Sequence, residues 1–203
     1  MNRIFALVTF CGIFLMNAQP HPSLAAKFNR QVDVGDAAPV WKTLKGVDGK
    51  LHSLNDYRRP KLLVVVFICN HCPTAKQYDS RLIQFVKQYR SKGVQLVAIS
   101  SSKFPADRFE KMKEHAKTRG FNFPYLHDPT QTVGKSYGVT HTPQVFLLDT
   151  QRKIAYMGAI DDNADPRKVE ERYLLDAVNA LLAGKEPDIT ETRQFGCELE
   201  YKK

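Results

Sequence analysis

The sequence predicts an α/β fold in which a central mixed β-sheet is flanked by helices. Residues 62–68 form a continuous apolar run rich in valine, and residues 94–100 repeat the pattern of a strand buried on both faces. Helices are predicted over residues 73–90, 105–119 and 166–183. Strands that alternate with helices build a layered α/β sheet, and a predicted hairpin over residues 145–158 makes that sheet mixed.

Shorter elements complete the predicted order. Residues 40–44 and 50–54 flank a turn at Asp48-Gly49, which predicts an N-terminal hairpin. A short strand over residues 125–128 and a short helix over residues 130–137 precede the second hairpin.

Composition limits the class of protein. The chain has 203 residues, of which 43% are hydrophobic and 25% charged, which is typical of a globular protein and excludes a disordered one. Four cysteines are too few to staple a chain of this length, so a hydrophobic core must hold the fold. The net charge of +9 suggests a bias towards anionic surfaces but says little about the fold.

The first 25 residues have the pattern of a secretory signal peptide. Arg3 precedes an uncharged apolar run over residues 4–16, and small residues follow at 23–26. The run is too short to cross a bilayer comfortably, although an uncleaved anchor stays an alternative. We therefore expect a periplasmic or secreted protein with no stable membrane insertion after cleavage. Residues 26–203 are predicted to form a single domain with a C-terminal tail at 185–203. Because the basic residues are scattered, nucleic acid is not an expected partner.

The central motif is a C-x-x-C formed by Cys69 and Cys72 between a buried strand and a helix. A helix N-terminus carries unsatisfied N–H groups and a partial positive charge, and both favour a thiolate, the species that attacks a disulfide. We expect Cys69 to lie at the exposed edge and act as the nucleophile. Cys72, one turn inwards, is expected to attack the mixed disulfide and release the partner, and Pro73 suits the first helical position.

The residues between the cysteines refine this prediction. A protonated His71 would stabilise a thiolate on Cys69 and push the pair towards an oxidant. Asn70 is predicted to contact the substrate. A c-type haem site would need a histidine where Pro73 stands, and zinc would need a second paired motif that the other histidines do not supply. The sequence therefore predicts no metal and no organic cofactor.

A second element, Thr142-Pro143, precedes the predicted strand at 145–149. A strand, a C-x-x-C at a helix start and a distant Thr-Pro before another strand resemble the thioredoxin fold. The resemblance implies that Pro143 is cis and sits against the dithiol. It also implies that the backbone of Thr142 is free to pair with a bound substrate chain.

The resemblance extends to the AhpC/TSA redoxin branch, with an insertion over residues 94–130 that thioredoxin lacks. The sequence is similar to a group of exported, peroxiredoxin-like and TlpA-type proteins that share three motifs. They are residues 69–73 (CNHCP), 158–163 (GAIDDN) and 195–197 (FGC). Peroxiredoxins place a threonine three residues before the peroxidatic cysteine and a proline four further back, whereas Val66 and Leu62 precede Cys69 here. For Cys72 those places hold Cys69 and Val65, so neither cysteine fits.

This resemblance implies an exported thiol–disulfide oxidoreductase that exchanges disulfides with protein partners and a redox partner protein. The alternatives are a thiol peroxidase, and a copper-binding chaperone of the SCO type that would use Cys69, Cys72 and His141. The buried acid of thioredoxin is replaced by Leu63, and by the resemblance Asp161 and Asp162 are candidates for its role in proton handling. Cys197 is a further redox candidate, as a resolving thiol, an intermolecular partner or an inert packed thiol.

Overall fold

The computed structural model describes residues 26–202, so the predicted signal peptide lies outside the described part of the chain. Nine strands are found there: β1 Leu44–Gly46, β2 Leu51–His52, β3 Leu62–Phe67, β4 Val94–Ser100, β5 Tyr125–His127, β6 His141–Thr142, β7 Gln144–Leu148, β8 Ile154–Gly158 and β9 Cys197–Glu198. The α-helices over the same residues are α1 Pro73–Tyr89, α2 Phe109–Arg119, α3 Thr132–Ser136 and α4 Tyr173–Leu182. Within this range no helix is long and apolar enough to span a bilayer.

Seven strands form one mixed sheet in the order β2-β1-β5-β4-β3-β7-β8. The central strand β3 pairs in parallel with β4 and antiparallel with β7, and all six of its residues are buried. A strand with neighbours on both edges and layers on both faces has no solvent side, which explains its uninterrupted apolar sequence. The predicted α/β class with a mixed sheet is confirmed.

The sheet carries a separate apolar core on each face. Alternate residues of β3 point to opposite faces, so Val64 and Val66 pack against α1, α2 and α4. Leu63, Val65 and Phe67 pack instead against the N-terminal segment and α3. The two layers bury β3 on both faces, and the turn that carries the cysteines follows directly from its end.

Three predicted elements have different bounds in the structure. The N-terminal hairpin is present, but its first strand begins at Leu44, where the predicted one ends, and its second strand is shorter than predicted. Val40, predicted to lie in the first strand, is 70% exposed. The helix predicted from residue 105 is a 3₁₀ turn, Pro105–Asp107, followed by an extended Arg108 before α2 begins.

The last helix likewise begins only at Tyr173, after a 3₁₀ turn at Pro166–Lys168. The backbone between these elements bonds to the loop after β8: Asp162 N–H donates to the Glu171 carbonyl, and Glu170 N–H donates to the Asp162 carboxylate. Those bonds take the place of the helical ones that the prediction assumed. The helix therefore starts seven residues later than its sequence pattern suggested.

Candidate active site

The cysteine motif lies where β3 ends and α1 begins. Cys72 is the N-cap of α1, its sulfur accepts a hydrogen bond from the Ala75 N–H at 3.3 Å, and Pro73 takes the first helical position. The free N–H groups of a helix start favour negative charge, so a thiolate on Cys72 would be stabilised there. The local sequence thus places this sulfur at the positive end of the helix.

Cys72 is bonded to Cys197 in the structure, and Cys69 is a free thiol. The cross-link joins residues 125 positions apart, with their Cα atoms 5.8 Å apart. Of the roles considered for Cys197, the structure shows an intramolecular disulfide with the second cysteine of the motif. The two cysteines of the C-x-x-C are therefore not bonded to each other in this state.

The expectation that Cys69 lies at an exposed edge is wrong for this state, since only 3% of the residue is exposed. Burial raises the pKa of the Cys69 thiol to about 11. The hydroxyl of Thr142, 3.1 Å from the sulfur, lowers that pKa, whereas the nearby Asp107 carboxylate raises it. The loss of hydration on burial therefore outweighs the hydrogen bonds that stabilise a thiolate on Cys69.

Thr142 lies against both sulfurs of the motif. Its peptide bond to Pro143 is cis, as the resemblance implied, and its carbonyl oxygen is 3.3 Å from the Cys72 sulfur. Its backbone pairs with Cys197, because β6 and β9 form a two-stranded antiparallel sheet. The predicted pairing edge beside the cysteines therefore exists, and the C-terminal tail of the same chain occupies it.

Asp107, which sequence reasoning missed, organises the turn between the cysteines. Its buried carboxylate accepts the backbone N–H groups of Asn70 and His71, at 2.5 and 3.2 Å, and the hydroxyl of Ser102 at 2.6 Å. The same carboxylate bonds His71 Nδ1. An isolated aspartate in a long insertion gives no sequence signal, since its partners lie 36 and 37 residues earlier.

Asn70 has a different environment from the one predicted. It is buried, its side-chain amide donates to the Ala106 carbonyl at 2.9 Å, and its amide oxygen accepts from the Tyr125 hydroxyl at 3.1 Å. The side chain fastens the cysteine turn to the insertion instead of facing a groove. His71 is partly exposed and packs on Phe104.

The two aspartates proposed for proton handling have structural partners. Asp161 accepts from the Tyr78 hydroxyl at 2.6 Å and pairs with Arg81, and Asp162 bonds the backbone of Glu170. These bonds hold the loop after β8. Among the described carboxylates, Asp107 is the one placed beside Cys69, His71 and their backbone.

The copper ligands considered from the sequence do not form a set in this state. The Cys72 sulfur is in a disulfide, and His141 Nδ1 lies 3.0 Å from the Thr140 hydroxyl. Potential ligand atoms of Cys69, His71 and Asp107 do lie within 4.8 Å of one another. The two Asp107 oxygens already accept four hydrogen bonds. We therefore interpret this cluster as a hydrogen-bond network around a buried carboxylate.

The redoxin family model matches residues 33–173, which span the sheet, the C-x-x-C and the cis-proline. The chain belongs to the redoxin family. A solved structure of a hypothetical protein from Sinorhizobium meliloti is 32% identical and matches with a TM-score of 0.79, covering 86% of this chain and 97% of that one. Further matched structures have thioredoxin-like folds, at TM-scores of 0.53 and 0.54.

Two named relatives of this redoxin point to thiol chemistry. The thiol–disulfide oxidoreductase ResA of Bacillus subtilis is 27% identical over 125 residues, which cover 61% of this chain and 65% of ResA. A Mycobacterium tuberculosis protein with a provisional peroxiredoxin name is 26% identical over 129 residues, or 64% of this chain and 78% of its own. Oxidoreductase activity is thus the shared character of the family, and both branches weighed from the sequence are represented.

Replacing the Thr142 hydroxyl should raise the pKa of this redoxin's Cys69 further. With a pKa of about 11, roughly one Cys69 in a thousand is ionised at pH 8. A hydrogen bond to a charged group contributes about 1.5 kcal/mol. We therefore expect Thr142→Val to slow iodoacetamide labelling of Cys69 about tenfold at pH 8, measured on non-reduced protein by mass spectrometry.

The exposed Thr150, in the turn after β7, provides the matched control. Thr150→Val should leave the labelling rate unchanged. Equal rates for Thr142→Val and the unmodified protein would show that the hydroxyl does not stabilise the Cys69 thiolate.

Proposed function

We propose that the protein is an exported thiol–disulfide oxidoreductase that exchanges disulfides with protein partners. The observation that carries the proposal is the placement of three sulfurs at one edge: Cys69 and Cys72 both lie against Thr142, beside cis-Pro143, and Cys72 is bonded to Cys197. A free thiol beside a disulfide at a helix N-terminus supplies every group that thiol–disulfide exchange needs. The pattern of residues 1–25 supports export.

The chemistry starts from the reduced protein. The Cys69 thiolate attacks a partner disulfide, forms a mixed disulfide, and one partner sulfur leaves and takes up a proton. The Cys72 thiolate then attacks Cys69, which releases the second partner sulfur as a thiol. Two electrons have then passed from the Cys69–Cys72 dithiol to the partner disulfide.

Cys197 completes the cycle by attacking Cys72, which restores the Cys69 thiol and gives the state seen in the structure. This last step is an internal exchange with no net change in oxidation state. A dithiol reductant returns the protein to its starting state. The same steps in the opposite order carry out oxidation of a partner.

Reduction of insulin disulfides by the full chain with dithiothreitol as the electron source tests the proposal. We expect Cys69→Ser to reduce the catalysed rate at least tenfold, because serine cannot form the mixed disulfide. Ser136→Ala, in α3 and remote from the sulfurs in sequence, serves as the control and should keep the full rate.

Hydrogen peroxide consumption is measured beside it, with the same thiol donor. Rapid peroxide turnover without insulin reduction would replace the proposal by a thiol peroxidase. Full insulin reduction by Cys69→Ser would remove Cys69 from the mechanism.

A further inference from the structure

The C-terminal segment 194–202, here called the strap, is fastened over the cysteines by more than its disulfide. Leu199 N–H donates to the Thr140 carbonyl at 2.8 Å, the Tyr201 hydroxyl donates to the Val139 carbonyl at 2.6 Å, and Lys202 N–H donates to the Gln131 side chain at 2.7 Å. Leu199 is buried in the core on the face of the sheet that carries the N-terminal segment and α3. The strap is thus a bound strand with its own set of contacts.

The strap uses the backbone edge that a partner would need. β9 pairs antiparallel with β6, and in that register Cys197 lies opposite Thr142. An extended chain that binds to a sheet edge does so through the same backbone hydrogen bonds. While the strap is in place, no second chain can pair with Thr142, and both sulfurs of the motif are buried.

We propose that the strap occupies the docking site of the partner chain and shows what that partner must be. This inference rests on the proposed function. The partner is an extended segment with a disulfide-bonded cysteine, which pairs antiparallel with β6 and places that cysteine opposite Thr142, as Cys197 is placed here. There it lies beside Cys69, whose sulfur is 3.1 Å from the Thr142 hydroxyl and attacks the partner disulfide.

The strap also indicates which residue precedes the partner's cysteine. Gly196 has a φ of +135°, and a Cβ built on it would collide with the Thr142 carbonyl oxygen. A side chain at that position is excluded by both the backbone conformation and the space. The docking site therefore selects glycine immediately before the cysteine.

Two neighbouring contacts extend the selection. Phe195 packs near the Tyr78 ring, with centroids 6.5 Å apart, and Glu200 forms an ion pair with Lys103 at 2.9 Å. An aromatic residue two positions before the cysteine and an acid three positions after it would make the same contacts. The exposed ion pair contributes less than the buried contacts.

Opening the site requires a dithiol reductant, and the structure indicates where it attacks. Cys197 is partly exposed, whereas Cys69 and Cys72 are buried. A reductant thiolate bonds to the Cys197 sulfur and Cys72 leaves as a thiolate at the helix start. The second reductant thiolate then releases Cys197, so that one disulfide is reduced and one dithiol is oxidised.

The first test measures iodoacetamide labelling of Cys69 at pH 8 by mass spectrometry. We expect labelling to be at least tenfold faster after reduction with dithiothreitol than in non-reduced protein, because the strap is then no longer tethered. Leu199→Ala should accelerate labelling of non-reduced protein, whereas Ile189→Ala, an exposed residue before the strap, should not. Equal labelling in both redox states would overturn the inference.

The second test uses two tetrapeptides, Phe-Gly-Cys-Glu and Phe-Val-Cys-Glu, each disulfide-linked to glutathione. We expect the reduced protein to cleave the glycine peptide at least tenfold faster, and equal rates would overturn the predicted selection. Labelling needs no substrate, so the two proposals fail separately. If insulin is reduced but Cys69 labels equally fast in both redox states, only this inference is contradicted. If Cys69 labels more slowly in non-reduced protein but neither insulin nor either peptide is reduced, the proposed function is contradicted.

Discussion

Loss of the Cys72–Cys197 cross-link is expected to lower the free energy of unfolding by about 4 kcal/mol. The bond closes a loop across 125 positions, for which the chain-entropy treatment gives about 5 kcal/mol, and measured disulfides contribute roughly 2–4 kcal/mol. The main effect is on the unfolded chain, whose ends are free to separate once the bond is gone. In the folded protein the strap loses its covalent tether, and hydrogen bonds to residues 131–140, from which it can detach, are what still hold it.

The measurement needs a background in which no other disulfide can form. We would compare urea unfolding of Cys69→Ser with that of Cys69→Ser/Cys197→Ala, both without reductant. The difference should vanish in dithiothreitol, where neither protein is cross-linked. Equal midpoints without reductant would mean that Cys72 and Cys197 are not joined in solution.

The same cross-link couples stability to the redox cycle. A bond that stabilises the folded protein is itself stabilised by folding, because the two effects share one thermodynamic cycle. The Cys72–Cys197 bond is therefore harder to reduce in the folded chain than in the unfolded one. Folding therefore protects the cross-linked state against reduction. A reductant that acts on the folded protein has to attack at Cys197, because that sulfur belongs to the partly exposed residue of the pair.

The central sheet was predictable from the sequence because its signals are local. β3 is apolar throughout since both of its faces are buried, and β4 next to it has the same character. α1 has its start fixed by Pro73 and its buried face by residues one helical turn apart. The predicted start of the second helix at residue 105 was wrong, because the chain is extended at Arg108 although its sequence permits a helix.

The candidate site was predictable only in part. The C-x-x-C and Thr142-Pro143 are short motifs, and the cysteines alone indicate thiol chemistry. The resemblance of the sequence to the thioredoxin fold predicted that the two motifs lie side by side. The strap was not predictable, since β9 has only two residues and no alternation, and its partner strand lies more than fifty residues earlier. A cysteine between a strand and a helix start gives no sign in the sequence of being buried, so the raised pKa of Cys69 could not be predicted either.

Asp107 is expected to have separable effects on stability and on the pKa of Cys69. Asp107→Ala leaves the buried N–H of Asn70 and the hydroxyl of Ser102 without their acceptor. Each lost hydrogen bond to a charged group costs about 1.5–3 kcal/mol, so we expect the free energy of unfolding to fall by about 3 kcal/mol or more. Urea unfolding of non-reduced protein measures this change.

Asp107→Asn separates the two effects. Its amide oxygen can still accept from the backbone of Asn70 and His71, so much of the stability should return. The negative charge that raises the pKa of Cys69 is gone, so that pKa should fall and iodoacetamide labelling at a fixed pH should become faster. Both variants should therefore label faster than the unmodified protein, but only Asp107→Ala should show the full fall of about 3 kcal/mol in the free energy of unfolding.

Asp128 is the matched control, because it too is fully buried and accepts bonds from Ser101, at 2.7 Å, and from the Gly134 N–H at 3.0 Å. Asp128→Ala should destabilise the protein to a similar degree without changing the pH dependence of Cys69 labelling, since Asp107, and not Asp128, is the carboxylate clustered with that thiol. An equal acceleration in Asp128→Ala would show that loosening of the fold, and not the Asp107 charge, exposes Cys69. A labelling profile shifted to lower pH only in the Asp107 variants would establish that this carboxylate, together with burial, raises the pKa of Cys69.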